Sequence, residues 1–140
     1  MRIDAAAATG GAGPAPLSPK ILIVEDDVLI RAAAAQFLRG TGFTVVEAVD
    51  VDQALQLLRT ERIVAVFADV KLPGPRNGID LMRIVQADFP HTRVLLTSGV
   101  VAADEVTLDG VTLLKKPYFL FELERQLRRL LPQMDTDPSP

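Results

Sequence analysis

The sequence predicts an α/β fold with a doubly wound parallel sheet, and two observations support this. Short continuous apolar runs, typical of strands buried on both faces, alternate with longer segments whose apolar residues recur at helical spacing. The alternation repeats five times, which requires right-handed crossovers and places helices on both faces of the sheet. A chain of 140 residues is long enough for one such domain with a substantial core.

Each predicted element has a local signal. Asp27 is positioned to cap the first helix, which glycines at 40 and 42 end. Asp50 and Gln53 have the spacing of a capping box ahead of the second helix. The predicted strands are residues 20–24, 43–48, 63–68, 93–96 and 111–114, and the last two predicted helices are 78–89 and 119–131.

The connection between Gly99 and Gly110 has a weaker pattern. Residues 100–103 can start a helix, but Val106 and Thr107 favour one weakly, so a short or frayed fourth helix is predicted. Five strands joined in this way predict the flavodoxin-like order 2-1-3-4-5. Ligands then bind where strands 1 and 3 diverge.

The last helix is predicted to be amphipathic. Its leucines recur on one side, and Arg125, Arg128 and Arg129 lie on the other, as a solvated face or a partner surface. Tyr118 and Phe119, just before this helix, are predicted to be packing residues.

The two ends of the chain differ in composition from the middle. Residues 5–19 are almost entirely Ala, Gly, Pro and Ser, and residues 132–140 are rich in proline, so neither buries enough apolar surface to offset its ordering entropy. We therefore predict a disordered tail at 1–19, a folded domain at 20–131 and a flexible tail at 132–140. No output domain is expected after Leu131.

Composition restricts the compartment and the partners. The chain has no cysteine, which excludes disulfides and thiolate metal sites. Its net charge of -3 is too small to suggest electrostatic binding to nucleic acid or to an anionic membrane. No apolar run has the length of a membrane span, and residues 1–19 do not have the pattern of a signal peptide. A cytoplasmic location is predicted.

Polar side chains follow four of the predicted strands where each strand ends. Glu25 and Asp26 follow the first, Asp69 ends the third, Thr97 ends the fourth and Lys116 follows the fifth. The carboxyl ends of parallel strands meet at one edge, so these side chains should share a crevice. Two carboxylates about 4 Å apart repel by about 4 kcal/mol at an effective dielectric of 20, a cost that a bound Mg²⁺ removes.

This set of groups suits phosphoryl transfer. With Mg²⁺ bound, Asp69 can attack a phosphoryl group in line, while the Lys116 ammonium and the Thr97 hydroxyl hold the equatorial oxygens. The sequence therefore predicts that Asp69 is a phosphoryl acceptor.

Four motifs in order, IVEDD, FADVKLPG, LLTSG and LKKPY, resemble the receiver domain of bacterial two-component response regulators, in a stand-alone single-domain form. The resemblance covers about residues 20–131. It implies that Glu25 and Asp26 bind Mg²⁺, with Asp26 as the direct ligand, that Asp69 accepts the phosphoryl group, and that Lys71 offers its backbone carbonyl to the metal.

The resemblance also implies roles for Thr97 as the switch hydroxyl and for Lys116 as the family's lysine. The phosphoryl donor is then a phosphohistidine on a sensor histidine kinase or a histidine phosphotransfer protein. The receiver catalyses its own phosphorylation and slow dephosphorylation and is not otherwise an enzyme. A downstream protein of unknown identity reads the result, and the receiver itself is a monomer or a weak homodimer.

Three internal departures from the family pattern are visible. Leu113 stands three residues before the lysine, where the family has an aromatic switch residue. The loop after Asp69 has about one extra residue before Gly78, and the segment between Thr97 and Lys116 is about three residues short. An aromatic ring at position 113 therefore cannot carry the signal.

Two other functions fit parts of the pattern. A haloacid-dehalogenase-like phosphatase also uses an aspartyl phosphate, but it needs a second acid two residues after the first, where this chain has Lys71. A receiver-like interaction module that no longer takes phosphate fits Leu113 and the short fourth segment. The complete set of acids, hydroxyl and lysine favours the phosphoreceiver.

Overall fold

The computed structural model of the protein describes residues 19–99, 107–108 and 110–131. The predicted tails therefore lie outside the described residues, apart from position 19. Strands and helices alternate along the described chain as the periodicity predicts. The elements are β1 (Lys20–Val24), α1 (Val28–Gly40), β2 (Val45–Ala48), α2 (Val51–Thr60), β3 (Ile63–Asp69), α3 (Gly78–Asp88), β4 (Arg93–Ser98), β5 (Thr107–Leu108), β6 (Val111–Lys115) and α4 (Leu120–Leu130).

One sheet contains all of these strands, in the order β2-β1-β3-β4-β6-β5. The first five strands in that order are parallel. Since β6 is the fifth strand that the sequence predicts, the flavodoxin-like order 2-1-3-4-5 is confirmed. Among the described residues, no helix is long and apolar enough to cross a membrane.

The region of the predicted fourth helix contains a strand that the sequence did not reveal. Thr107–Leu108 pairs antiparallel with β6 at the edge of the sheet, Thr107 opposite Thr112 and Leu108 opposite Val111. Residues 107–108 form a strand because pairing with the edge of β6 satisfies their backbone groups. The short fourth helix, which is predicted to start at 100–103, falls on residues outside the described ranges.

The core has two layers, one on each face of the sheet. Leu22 and Val24 of β1 face α2 and α3, whereas Ile21 and Ile23 face α1 and α4. All four side chains are at most 1% exposed. Successive residues of a strand point to opposite faces, so a strand covered by helices on both sides is apolar throughout.

The predicted helix caps are present. The Asp27 side chain accepts hydrogen bonds from the second and third amides of α1, at 2.9 and 3.0 Å. The Asp50 side chain accepts from the Gln53 amide at 2.8 Å, while Gln53 Oε1 accepts from the Val49 amide at 3.0 Å, one residue earlier than a capping box requires. Both caps satisfy amide donors that the first helical turn leaves open.

The prediction that Arg128 belongs to a solvated face of α4 was wrong. Its guanidinium donates to the Thr41 carbonyl oxygen at 2.8 Å, pairs with Glu124 at 3.0 Å and lies 4.6 Å from the centroid of the Phe43 ring. Arg128 thus fastens α4 to the end of α1. Arg125 and Arg129 are exposed, as predicted.

The two aromatic residues before α4 differ in environment. Tyr118 packs edge-on against Phe67, with ring centroids 5.7 Å apart, so the predicted packing role is confirmed for it. Burial, with the negative charge of Glu25 and Asp69, raises the pKa of Tyr118 to about 12. Phe119 is 67% exposed and stacks on the exposed ring of Phe121, so the packing prediction was wrong there.

Candidate phosphoacceptor site

The register of the sheet brings the predicted residues together. Val24 pairs with Ala68, so Glu25 comes level with Asp69 one residue further on. Asp69 pairs directly with Thr97 of β4. Lys116 follows the last residue of β6, and its amide donates to the Ser98 carbonyl oxygen at 3.0 Å. The acid, hydroxyl and ammonium groups therefore meet at the carboxyl edge, as the sequence predicts.

The Asp69 carboxylate is buried, at 7% exposure, and both of its oxygens have partners. Oδ1 accepts a hydrogen bond from the Lys71 amide at 2.9 Å. Oδ2 accepts one from the Lys116 ammonium, with which it forms a charged pair. A carboxylate has about four lone-pair sites, so each oxygen keeps capacity for a further interaction.

Lys116 serves two acids. Besides the Asp69 pair, its ammonium lies 3.8 Å from Glu25 Oε1. Burial disfavours the charged amine, but the hydrogen bond and negative charge of Asp69 outweigh it, so the pKa of Lys116 is raised. The Lys116–Pro117 bond is cis. The neighbouring Lys115 is exposed, so only the second of the two lysines enters the site.

The two acids after β1 differ in their exposure to solvent. Glu25 is 6% exposed, and its Oε2 accepts a hydrogen bond from the Asp27 amide at 3.0 Å. Asp26 is exposed. Both acids line an open cleft of about 660 Å³ together with Asp69, Lys71 and Lys116.

The pKa of Glu25 is raised. Burial is the largest cause, and the negative charge of Asp69 adds to it, while the Asp27 amide and the Lys116 ammonium oppose it. The cleft lining also contains more acids than ammonium groups: Glu25, Asp26, Asp27 and Asp69 against Lys71 and Lys116. The donor set therefore fits a divalent cation.

The donor groups of the cleft suit a cation that needs few protein ligands. Among the described residues, no group of three or more His, Cys, Asp or Glu side chains is arranged to hold a metal ion. Mg²⁺ keeps several waters and commonly takes only one or two carboxylates with phosphate oxygens, so Asp26 and Asp69 in an open cleft are sufficient in kind.

The raised pKa gives Glu25 a pH-dependent effect on stability. A carboxyl group whose folded-state pKa exceeds its ordinary value of 4.5 lowers the free energy of unfolding as pH rises above that value. Without metal at pH 7, Glu25→Gln is expected to stabilise the protein by about 1 kcal/mol, because glutamine still accepts from Asp27 without a charge. Urea unfolding at pH 4 and pH 7 tests this. An equal gain at both pH values contradicts it.

Thr97 is 1% exposed, and its hydroxyl donates to the Leu114 carbonyl oxygen at 2.7 Å. The hydroxyl is thus beside Asp69 in the sheet but bonded to the neighbouring strand on the other side. Leu113, which has the place of the family's aromatic residue, is partly buried and packs against the α2–α3 layer. It has no ring to rotate.

Removal of the Thr97 hydroxyl is expected to weaken the fold modestly. Thr97→Val keeps the shape but deletes a buried hydrogen bond, with an expected loss of about 1 kcal/mol of unfolding free energy. Thr97→Ser keeps the donor and should retain the bond. Denaturant unfolding of both variants measures this, and a valine variant as stable as wild type would show that the bond contributes nothing.

Two features of the loop after Asp69 were missed. Asn77 caps α3 in a reciprocal box with Asp80, at 3.0 and 2.9 Å, and the N-x-x-D spacing could have revealed it. Gly78 donates its amide to the Val70 carbonyl oxygen at 2.9 Å and lies against the Asp69 backbone. Only the three-dimensional path of the loop shows that closeness.

Comparison with known proteins shows the family of the chain. A sequence model described as the response regulator receiver domain matches residues 21–128. The chain belongs to the response regulator receiver family.

Relatives and solved structures extend the match. The chain is 33% identical over 123 residues to the DNA-binding response regulator MtrA of Mycobacterium tuberculosis, covering 86% of this chain and 54% of that protein. It thus spans about half the length of the curated relatives it matches. The receiver domain of the hybrid histidine kinase CckA is 31% identical with a TM-score of 0.68, covering 80% and 98% of the two chains. A signal receiver domain of an HD domain-containing protein from Pseudomonas fluorescens is 27% identical with a TM-score of 0.74, covering 85% and 98%.

Proposed function

We propose that Asp69 accepts a phosphoryl group from a phosphohistidine on a sensor histidine kinase or a histidine phosphotransfer protein, and that this changes the binding of a downstream protein. The observation that carries the proposal is the buried Asp69 carboxylate, held by the Lys71 amide and the Lys116 ammonium at the wall of an open cleft. Membership of the receiver family supports it.

The step is an in-line displacement at phosphorus. A carboxylate oxygen of Asp69 forms the new O–P bond while the P–N bond to the donor histidine breaks, and the bonding electron pair returns to the imidazole. The Lys116 ammonium, already between Asp69 and Glu25, shifts its contact from the carboxylate to a phosphoryl oxygen. The Lys71 amide keeps the carboxylate oriented throughout.

Mg²⁺ would be held by Asp26, Asp69 and the Lys71 backbone carbonyl, with Glu25 acting mostly through water. When bound, it supplies positive charge to the phosphoryl oxygens, where negative charge accumulates. The four acids in the lining of the cleft support this assignment, since grouped carboxylates favour a cation.

The signal leaves the site through Thr97. A phosphoryl group brings about -1.5 to -2 charge and three acceptor oxygens, which compete with the Leu114 carbonyl for the Thr97 hydroxyl. Breaking the 2.7 Å bond to Leu114 removes a side-chain contact between β4 and β6, so β6 can shift relative to β4. The population then shifts toward a second state, with Leu113 following as a packing residue.

The protein in this proposal is a signalling phosphoacceptor with self-catalysed transfer and slow autodephosphorylation, acting in the cytoplasm as a monomer or weak homodimer. The DNA-binding activity for which the MtrA relative is named belongs to that longer protein. For this chain, a protein partner, and neither nucleic acid nor membrane, is proposed.

Acetyl phosphate with Mg²⁺ tests the proposal directly. Intact mass of the wild-type protein should rise by one phosphoryl group, and Asp69→Asn should show no rise. Asp88→Asn, at the end of α3, is the matched control and should label like wild type. If the wild type gains no mass, or if Asp69→Asn gains as much, the acceptor assignment is wrong and a phosphorylation-independent interaction module is favoured. Sustained turnover of an added phosphoester would instead indicate a phosphatase.

A further inference from the structure

Arg31, on α1, contacts the backbone of the Glu25–Asp26 acid pair. Its Nη1 donates to the carbonyl oxygen of Glu25 at 2.8 Å. Its Nε donates to Oε1 of Glu47 on β2 at 3.1 Å. The side chain is only 15% exposed, so the guanidinium lies between the helix, the loop after β1 and the neighbouring strand. One side chain thus joins three parts of the fold beside the cleft.

Glu47 fixes the orientation of that guanidinium. Its second oxygen, Oε2, accepts from Arg39 at 3.1 Å, and Arg39 also donates to the Val45 carbonyl oxygen at 3.0 Å. Glu47 pairs with Ile23 in the sheet, two residues before Glu25. The two arginines share one carboxylate, but only Arg31 contacts the loop that carries the acids. A planar guanidinium with two fixed partners loses most of its freedom to rotate.

The contact acts on the peptide that joins Glu25 to Asp26. The Glu25 amide donates to the Ala48 carbonyl oxygen at 3.0 Å, and the Glu25 carbonyl accepts from Arg31, so β2 and α1 hold the residue from its two ends. The direction of that peptide sets where the Asp26 side chain leaves the backbone. A rotation of the peptide would therefore move Asp26 relative to Asp69.

We propose that Arg31 is a positioning residue for the divalent-cation site, holding the Glu25–Asp26 peptide so that Asp26 faces the cleft. Glu47 keeps Arg31 in the required orientation. This inference rests on the proposed Mg²⁺ site. It assigns Arg31 no contact with the metal or with the reacting phosphoryl group.

The test is a Mg²⁺ titration of the isotopically labelled protein without any phosphoryl donor. The amides of Asp27 and Lys71 serve as reporters, since they donate to the carboxylates of Glu25 and Asp69. Loss of groups that orient metal ligands weakens metal binding by about 10- to 100-fold, so Arg31→Gln should raise the Mg²⁺ concentration at half-saturation roughly 10-fold. Arg39→Gln, which removes the other Glu47 contact, should leave it within about 2-fold of wild type.

A second variant covers the case in which Arg31→Gln does not fold. Arg31→Lys keeps the positive charge, but a single ammonium does not reproduce the planar two-partner arrangement, so it should also weaken Mg²⁺ binding. Wild-type affinity in a folded Arg31 variant overturns the inference, and so does an equal loss in Arg39→Gln. If the amide signals of the wild-type protein do not shift with Mg²⁺, the proposed metal site itself is wrong. That failure is seen in the wild type, whereas failure of the Arg31 inference is seen only in the variants.

Discussion

Gly78→Ala is expected to destabilise the protein by roughly 2–4 kcal/mol and to slow labelling of Asp69 by acetyl phosphate. A Cβ at position 78 would overlap the Asp69 carbonyl oxygen and lie 2.9 Å from the Cα of Val70. Both contacts are with backbone, which cannot move aside as a flexible side chain can. The loop must shift, and with it the Lys71 amide that holds Asp69.

Gly40→Ala is the matched control for this prediction. Gly40 is the last residue of α1, and a Cβ there meets nothing within 4 Å. Alanine favours helix over glycine by about 1 kcal/mol, so this variant should be as stable as wild type or slightly more so, with unchanged labelling. Urea unfolding and intact mass after acetyl phosphate measure both effects. A Gly78→Ala protein with wild-type stability would show that the loop can accommodate a Cβ at position 78 despite the close backbone contacts.

The features that the sequence predicted well are those set by local pattern and chain order. Apolar runs such as 20–24 favour strands covered on both sides, and the carboxyl edge then follows from the parallel connections. For that reason the sequence alone predicts that four side chains share one crevice, namely Glu25, Asp69, Thr97 and Lys116. Their family roles came from motif resemblance and stay predictions.

The features that the sequence did not reveal depend on contacts between distant residues. Arg128 resembles any helix-surface arginine until Thr41 and Phe43, more than eighty positions earlier, are seen beside it. Arg31 is likewise an ordinary helical residue whose partners are a backbone carbonyl and Glu47. The edge strand at 107–108 was missed because its two residues have no period to detect. Pairing partners, and not composition, determine each of these.

Lys116→Gln is expected to cost about 2 kcal/mol at pH 7 and to reduce labelling of Asp69 strongly, because two buried carboxylates lose the cation between them. The figure is below that for a fully buried pair because the Lys116 side chain is 27% exposed. Lys115→Gln is the matched control, since its exposed side chain should contribute almost nothing. Comparing the two variants thus distinguishes the effect of removing a positive charge from the site from the effect of removing one elsewhere on the protein.

The loss of stability caused by Lys116→Gln should depend on pH. Asp69 raises the pKa of Lys116 above its ordinary value of 10.5, so the stabilisation by the pair is complete below that pH and is lost as pH rises through the folded-state pKa. Mg²⁺ should restore part of the lost stability at pH 7, since a cation in the cleft compensates the same acids.

A double-mutant cycle with Asp69→Asn isolates the pair. If the Lys116–Asp69 contact carries the effect, Lys116→Gln should cost much less when residue 69 is already uncharged, leaving only the 3.8 Å contact with Glu25 to lose. Additive losses in the double variant would mean that Lys116 stabilises the site through Glu25 or through its packing. In that case its role toward Asp69 would begin only when the phosphoryl group arrives. The cycle therefore decides whether the Lys116–Asp69 pair stabilises the protein before any phosphoryl group is bound.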